Sequence, residues 1–262
     1  MSLRTLFCSA LVLLLAGCGG QVQTGGETEM QATTLSGAPP IIIAHRGASG
    51  ERPEHTLAAY ALAIEQGADF IEPDLVLTSD GILVARHEND ISETTDVADK
   101  PEFAARKTIK MIDGERHEGW FTEDFTLAEL KTLRAKERLT ELRAANAKYD
   151  GRYEIPTLAE ILQLLQRHQE TSGKRIGIYP ETKHPGYFKA LGLDHDEALL
   201  RLLKQYGYAG KADPVFIQSF EAGNLIALNR KTDIRLVQLV ASEGGPSDGR
   251  GATYASMLTP EG

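Results

Sequence analysis

The sequence predicts an α/β fold, a TIM-type (β/α)8 barrel, from three observations. Short apolar runs alternate with segments at helical spacing, as in a parallel sheet covered by helices. Several of those runs end in ionisable residues, and barrels of this type gather their chemistry at strand C-terminal ends. The composition is ordinary for a globular chain: of 262 residues, 42% are hydrophobic and 25% charged, ample for a sizeable core. An open doubly wound sheet is the competing architecture.

The first 40 residues stand outside this pattern. Met1 to Arg4 carries one positive side chain, and Leu6 to Leu15 is mostly apolar. That run is too short to span a membrane and fits a signal-peptide core. Leu15-Ala16-Gly17-Cys18 resembles a bacterial lipoprotein cleavage site. The resemblance implies lipidation of Cys18, residues 1–18 being signal and lipobox. Gly19 where an inner-membrane retention Asp often stands favours the outer membrane, and so a periplasm-facing or surface location in the cell envelope. Residues 19–40 are rich in Gly, Thr, Gln and Ser and read as a tether. Cys8 would leave with the signal, so the mature fold needs no disulfide.

From residue 41 the elements follow in order. Ile41 to Ala44 is an apolar strand ending at His45, and Thr56 to Gln66 has helical spacing with Gly67 as its stop. Phe70 to Leu77 is a second strand, Ser79-Asp80-Gly81 a turn, and Ile82 to Arg86 a third strand. Residues 88–155 are polar and charged, too long for an ordinary loop, and form an inserted subdomain. Inside it, Thr126 and Glu129 have capping-box spacing, and Trp120 is assigned to local packing. Thr157 and Glu160 open the next helix, to about His168. Arg175 to Tyr179 is a fourth strand, Asp194 to Tyr206 a helix and Pro214 to Gln218 a fifth strand. Ser219 caps a helix over 220–229, and Ile234 to Val240 is a sixth strand. Six strands fall short of eight. Roughly 150 residues remain for a barrel that takes roughly 250. The sequence therefore suggests C-terminal truncation after about six strands, with residues 41–262 an incomplete barrel.

The chemistry-bearing residues sit at strand ends. Glu72 and Asp74 are two apart on a strand and share one face. Glu181 follows the fourth strand. Three carboxylates suit a hard divalent ion, Ca2+ or Mg2+, better than zinc. His45 and His87 each end an apolar run, and imidazoles titrate near neutrality, as acid–base catalysts should. Arg46 is a natural bidentate phosphate ligand, and Lys183 adds a point charge. The other histidines outside the first loop, His117, His168, His184 and His195, lie in polar loops or helices and are set aside. A net charge of -9 argues against a nucleic-acid surface.

His45-Arg46-Gly47-Ala48-Ser49-Gly50, Pro53-Glu54-His55-Thr56, Glu72-x-Asp74 and His87 resemble the glycerophosphodiester phosphodiesterase family. Tyr179-Pro180-Glu181-Thr182-Lys183 and Ile217-Gln218-Ser219-Phe220 match as well, and the form of the first loop is closest to the bacterial periplasmic branch. The resemblance implies a barrel of the phospholipase-C-like phosphodiesterase type. It implies hydrolysis of glycerophosphodiesters, such as glycerophosphocholine and glycerophosphoethanolamine, to sn-glycerol 3-phosphate and an alcohol. By the same resemblance His45 and His87 are the acid–base pair, and Glu72, Asp74 and Glu181 bind the metal, Ca2+ ahead of Mg2+. Arg46 and Lys183 hold the phosphate. A substrate glycerol hydroxyl attacks phosphorus, and water then opens the cyclic product. One departure is Glu88, where the family often has Asp. Two alternatives stay open: a surface-anchored binding protein without turnover, and a related barrel acting on lysophospholipids or sphingolipids.

Overall fold

The computed structural model describes residues 34, 37–248 and 252–260. The signal segment, Cys18 and most of the tether lie outside the described residues. Met1–Pro40 and Ile41–Gly262 are separate compact units. In the first, Thr34 and Ala38 close a small hydrogen-bonded turn.

The second unit opens with β1 (Ile43–His45), α1 (Leu57–Glu65), β2 (Phe70–Glu72), β3 (Asp74–Leu77) and β4 (Leu83–Ala85). Next come a hairpin, β5 (Thr108–Ile112) and β6 (Glu115–Gly119), and the short α2 (Leu127–Leu130). Then follow α3 (Leu158–Ser172), β7 (Gly177–Ile178), β8 (Glu181–Thr182), α4 (Pro185–Ala190) and α5 (His195–Gln205). The last elements are β9 (Phe216–Ser219), α6 (Ala222–Leu228), β10 (Arg235–Gln238) and α7 (Tyr254–Met257).

β2 and β3 are one strand interrupted at Pro73, and β7 and β8 are one interrupted at Tyr179-Pro180. Proline donates no N–H, so each ladder is broken there. The carbonyls still serve: Glu181 N–H donates to Pro73 O and Gln218 N–H to Pro180 O, both at 2.9 Å. Among the described residues five parallel strands result, in the order β1, β2–β3, β7–β8, β9, β10. The register aligns His45 with Glu72, Asp74 with Glu181, and Glu181 with Gln218. Residues opposite one another in parallel strands share a face, so these polar side chains form one layer near the strand C-terminal ends.

The strand at Ile82–Arg86 differs from the barrel strand the sequence suggests. As β4 it runs antiparallel to β3, with Leu75 opposite Ala85. The link between them is a tight turn, in which Thr78 Oγ1 accepts from Ile82 N–H at 2.9 Å. A parallel partner needs a crossover of a dozen or more residues, which this turn cannot supply.

Helix starts follow local chemistry. Thr126 with Glu129 and Thr157 with Glu160 both form reciprocal capping boxes. Ser219 ends β9 instead of capping; α6 begins after Glu221, whose N–H reaches Ser219 Oγ at 3.2 Å. Ile71, Leu75, Ile178 and Ile217 join the helix faces in one fully buried core. Trp120 packs on this core and its indole donates to Phe103 O at 2.7 Å, in line with a packing role.

Candidate active site

The first loop is set by backbone constraint. Gly47 has φ +81, and a Cβ there would lie 2.7 Å from the carbonyl carbon of Ala59. Only glycine allows α1 to approach this closely. Gly50 carries no such constraint. Arg46 also has a positive φ of 63, and its N–H donates to Glu72 Oε2 at 2.9 Å. Backbone and metal-type carboxylate are thereby tied together.

The three carboxylates converge. One oxygen each from Glu72, Asp74 and Glu181 lies within 4.8 Å of the others, and all three residues are buried. Gln218 Nε2 donates to Glu72 Oε1 at 2.8 Å. His55 Nε2 bonds Asp74 Oδ2 at 2.9 Å, and its Nδ1 pairs with the Tyr60 hydroxyl at 2.8 Å. Lys183 Nζ stands 3.2 Å from Glu181 Oε1. Asp74 Oδ1 is buried without a partner. Burial and the neighbouring Asp74 hold the Glu72 carboxyl well above the usual carboxylate range and push Glu181 up to about 8. Burial also opposes ionisation of Asp74, yet His55 and Lys183 hold it well below its ordinary value. Three crowded, buried carboxylates with an orphaned oxygen fit a hard divalent cation, which relieves both repulsion and desolvation. They constitute a buried acidic triad of metal-site type.

Around the triad stand the cationic and imidazole groups. His45 is exposed at the end of β1, and its Nε2 accepts from Arg46 Nε at 3.2 Å. Partial burial and then the Arg46 charge lower its pKa, which favours the neutral ring. Arg46 also reaches Asp74 Oδ2 at 3.5 Å and Glu54 Oε2 at 3.3 Å. Glu54 is itself buried and gathers Arg138 at 3.0 Å and Arg143 at 3.7 Å from the long segment before α3. His87 Nδ1 bonds Glu88 Oε1 at 2.8 Å. The structure thus brings all seven sequence-identified residues, His45, Arg46, Glu72, Asp74, His87, Glu181 and Lys183, to one end of the parallel strands. Cys18 lies outside the described residues.

Sequence reasoning overlooks four contributors. His184 is set aside as a loop histidine, but it sits in the left-handed region (φ 48) between Glu88 and Asp113. Its Nε2 is 2.8 Å from Glu88 Oε2 and its Nδ1 2.6 Å from Asp113 Oδ2. No periodicity reveals this, because Asp113 is the tip of the β5–β6 hairpin. His55 and Gln218 lie within recognised motifs, yet their function as supports of the triad appears only in three dimensions. Glu54 is the fourth, as the carboxylate that orders three arginines. His195, also set aside, is buried at the start of α5, with Nε2 3.1 Å from Leu75 O.

A model of the glycerophosphoryl diester phosphodiesterase family matches residues 45–260. A glycerophosphodiester phosphodiesterase of Arabidopsis thaliana is 36% identical over 95% of this chain and 69% of its own length. One from Haemophilus influenzae is 35% identical, over 92% of this chain and 66% of its own length. The chain thus spans about two thirds of the length of these relatives. Among solved structures, a Silicibacter pomeroyi protein described as a glycerophosphoryl diester phosphodiesterase superposes with a TM-score of 0.63. It is 22% identical, covering 82% of this chain and 70% of its own. A phosphodiesterase of Oleispira antarctica, solved with the product sn-glycerol-3-phosphate, gives a TM-score of 0.51 at 28% identity, covering 73% of this chain and 62% of its own. With a family model covering most of its length and relatives above 30% identity, the chain belongs to the glycerophosphoryl diester phosphodiesterase family.

Proposed function

We propose that this chain hydrolyses glycerophosphodiesters to sn-glycerol 3-phosphate and an alcohol. The observation that carries the proposal is the meeting of a buried carboxylate triad with two imidazoles, Arg46 and Lys183 at one end of a parallel sheet. The Oleispira relative, which carries sn-glycerol-3-phosphate, supports the product.

Glu72, Asp74 and Glu181 would hold a divalent ion, Ca2+ ahead of Mg2+, whose bound charge neutralises phosphoryl oxygens. Arg46 and Lys183 bind and orient the phosphodiester, Arg46 exchanging its bond to His45 for the phosphate. His45, once Arg46 has turned to the phosphate, takes at Nε2 the proton from the substrate glycerol hydroxyl that attacks phosphorus. His87, held by Glu88, gives a proton to the departing alkoxide. Water then opens the cyclic glycerophosphate with the two proton transfers reversed. Release of glycerol 3-phosphate from glycerophosphocholine, assayed before and after chelation and with added Ca2+, tests the proposal. Loss on chelation with recovery supports it; undiminished release in chelator rejects the metal assignment.

The proposal includes lipidation at Cys18 and outer-membrane anchoring, supported by the Leu15-Ala16-Gly17-Cys18 sequence. Among the described residues no helix is long and apolar enough to cross a membrane. Labelling of expressed protein with a fatty-acid probe, and its loss in Cys18→Ala, checks the anchor.

A further inference from the structure

A cavity of about 380 Å3 adjoins the triad. Glu181 and Lys183 line it, together with Phe220, Glu221, Tyr254 and Asp113. Three features set its chemistry. The Phe220 and Tyr254 rings are 6.1 Å apart between centroids, inclined at 68°, and so form two walls of a corner. Phe220 lies 6.0 Å from Lys183 Nζ, which places its face within one short linker of the proposed phosphate position. Glu221 is only 5% exposed, yet among the described residues no cationic side chain lies within ion-pair distance of it. Its two oxygens accept only from Gly186 N–H, at 3.1 and 2.9 Å.

A buried carboxylate without a counter-charge is costly. Burial, with Asp113 and Asp248 nearby, pushes the Glu221 carboxyl up to about 6. Of the other charges facing the cavity, His184 opposes this rise, but less strongly than Asp113 and Asp248 drive it. Lys183 is engaged by Glu181, and His184 lies between Glu88 and Asp113. Glu115 adds another carboxylate, 4.0 Å from His117. No arginine lines the cavity. Electron-rich ring faces beside an unneutralised carboxylate are what a quaternary or primary ammonium group requires, since a trimethylammonium donates no N–H hydrogen bond and is held by ring quadrupoles and charge.

We propose that this cavity is the subsite for the alcohol moiety of the diester and that it selects cationic alcohols, choline and ethanolamine, over neutral or anionic ones. The selection rests on the phosphodiesterase assignment above. With the phosphate at Lys183, the two-carbon linker of choline carries the ammonium toward Phe220, Tyr254 and Glu221. An anionic head group would meet Glu221 and Asp113 and be repelled.

The test compares kcat/KM for glycerophosphocholine and glycerophosphoglycerol in the full chain and in Glu221→Gln, with calorimetric titration of choline chloride into both proteins. Glutamine keeps an oxygen for Gly186 N–H and removes only the charge. The expected preference for the choline diester is about tenfold in the parent and close to unity in Glu221→Gln, with choline binding weakened about tenfold. An equal preference in both proteins, or choline binding that ignores the substitution, overturns the subsite. If neither diester is cleaved but choline binds in a Glu221-dependent way, the phosphodiesterase assignment falls and the cationic subsite stands.

Discussion

Glu88 joins two histidines, His87 through Oε1 at 2.8 Å and His184 through Oε2 at 2.8 Å. Burial opposes ionisation of Glu88, but its bonds to His184 and His87 hold the carboxyl far below its ordinary range. An ionised Glu88 therefore holds the His87 ring through Nδ1. The two oxygens of Glu88 thus span both histidines.

Replacing Glu88 with Gln should lower kcat about 10- to 100-fold with little change in KM, because His87 loses its orienting carboxylate while phosphate binding is kept. Steady-state kinetics on glycerophosphocholine checks this. A KM effect with kcat intact would show that Glu88 acts on binding.

His184 gives a pH signature. Burial disfavours its protonation, but the bonds to Asp113 and Glu88 outweigh it and raise the ring to about 9. The unfolded chain titrates it near about 6.5. A raised folded pKa means stabilisation that is full below about 6.5 and lost as pH rises through about 9. Urea midpoints of the parent and His184→Gln should differ most near about pH 6 and converge above about pH 9. A constant gap across that window would mean that His184 is not cationic in the fold.

His55 supports Asp74 from a fully buried position. His55→Ala leaves both Asp74 Oδ2 and the Tyr60 hydroxyl without this partner and opens a cavity. Destabilisation of about 3 kcal/mol is expected, with metal affinity down about 10- to 100-fold. Chemical denaturation and Ca2+ titration read the two effects separately.

Gly47→Ala should destabilise by about 2–4 kcal/mol, from the left-handed backbone and the clash with Ala59. Denaturation in urea measures it; a neutral substitution would show that the first loop can move away from α1.

Much of this site is legible in the sequence because strand ends announce themselves. Ile41 to Ala44 stops at His45, and the i, i+2 spacing of Glu72 and Asp74 places both on one face of a strand. The capping boxes at Thr126 and Thr157 are equally local, and both form. Direction is what the sequence hides. Nothing in Ile82–Arg86 says that it returns antiparallel beside β3, apart from the shortness of the Thr78–Gly81 turn. Long-range pairing hides the rest. His184 and Asp113 are 71 residues apart, and Glu54 and Arg138 are 84 apart. Only the folded hairpin and the segment before α3 bring these pairs together.

The central claim is that His45 and His87 transfer protons at the carboxylate triad. Single-turnover release of glycerol 3-phosphate by His45→Ala, His87→Ala and the double variant measures it most directly. Each single substitution should slow the step about 10²- to 10⁴-fold, and the double should be little slower than either, because the two histidines act as a unit. Parental rates in His45→Ala would contradict the account.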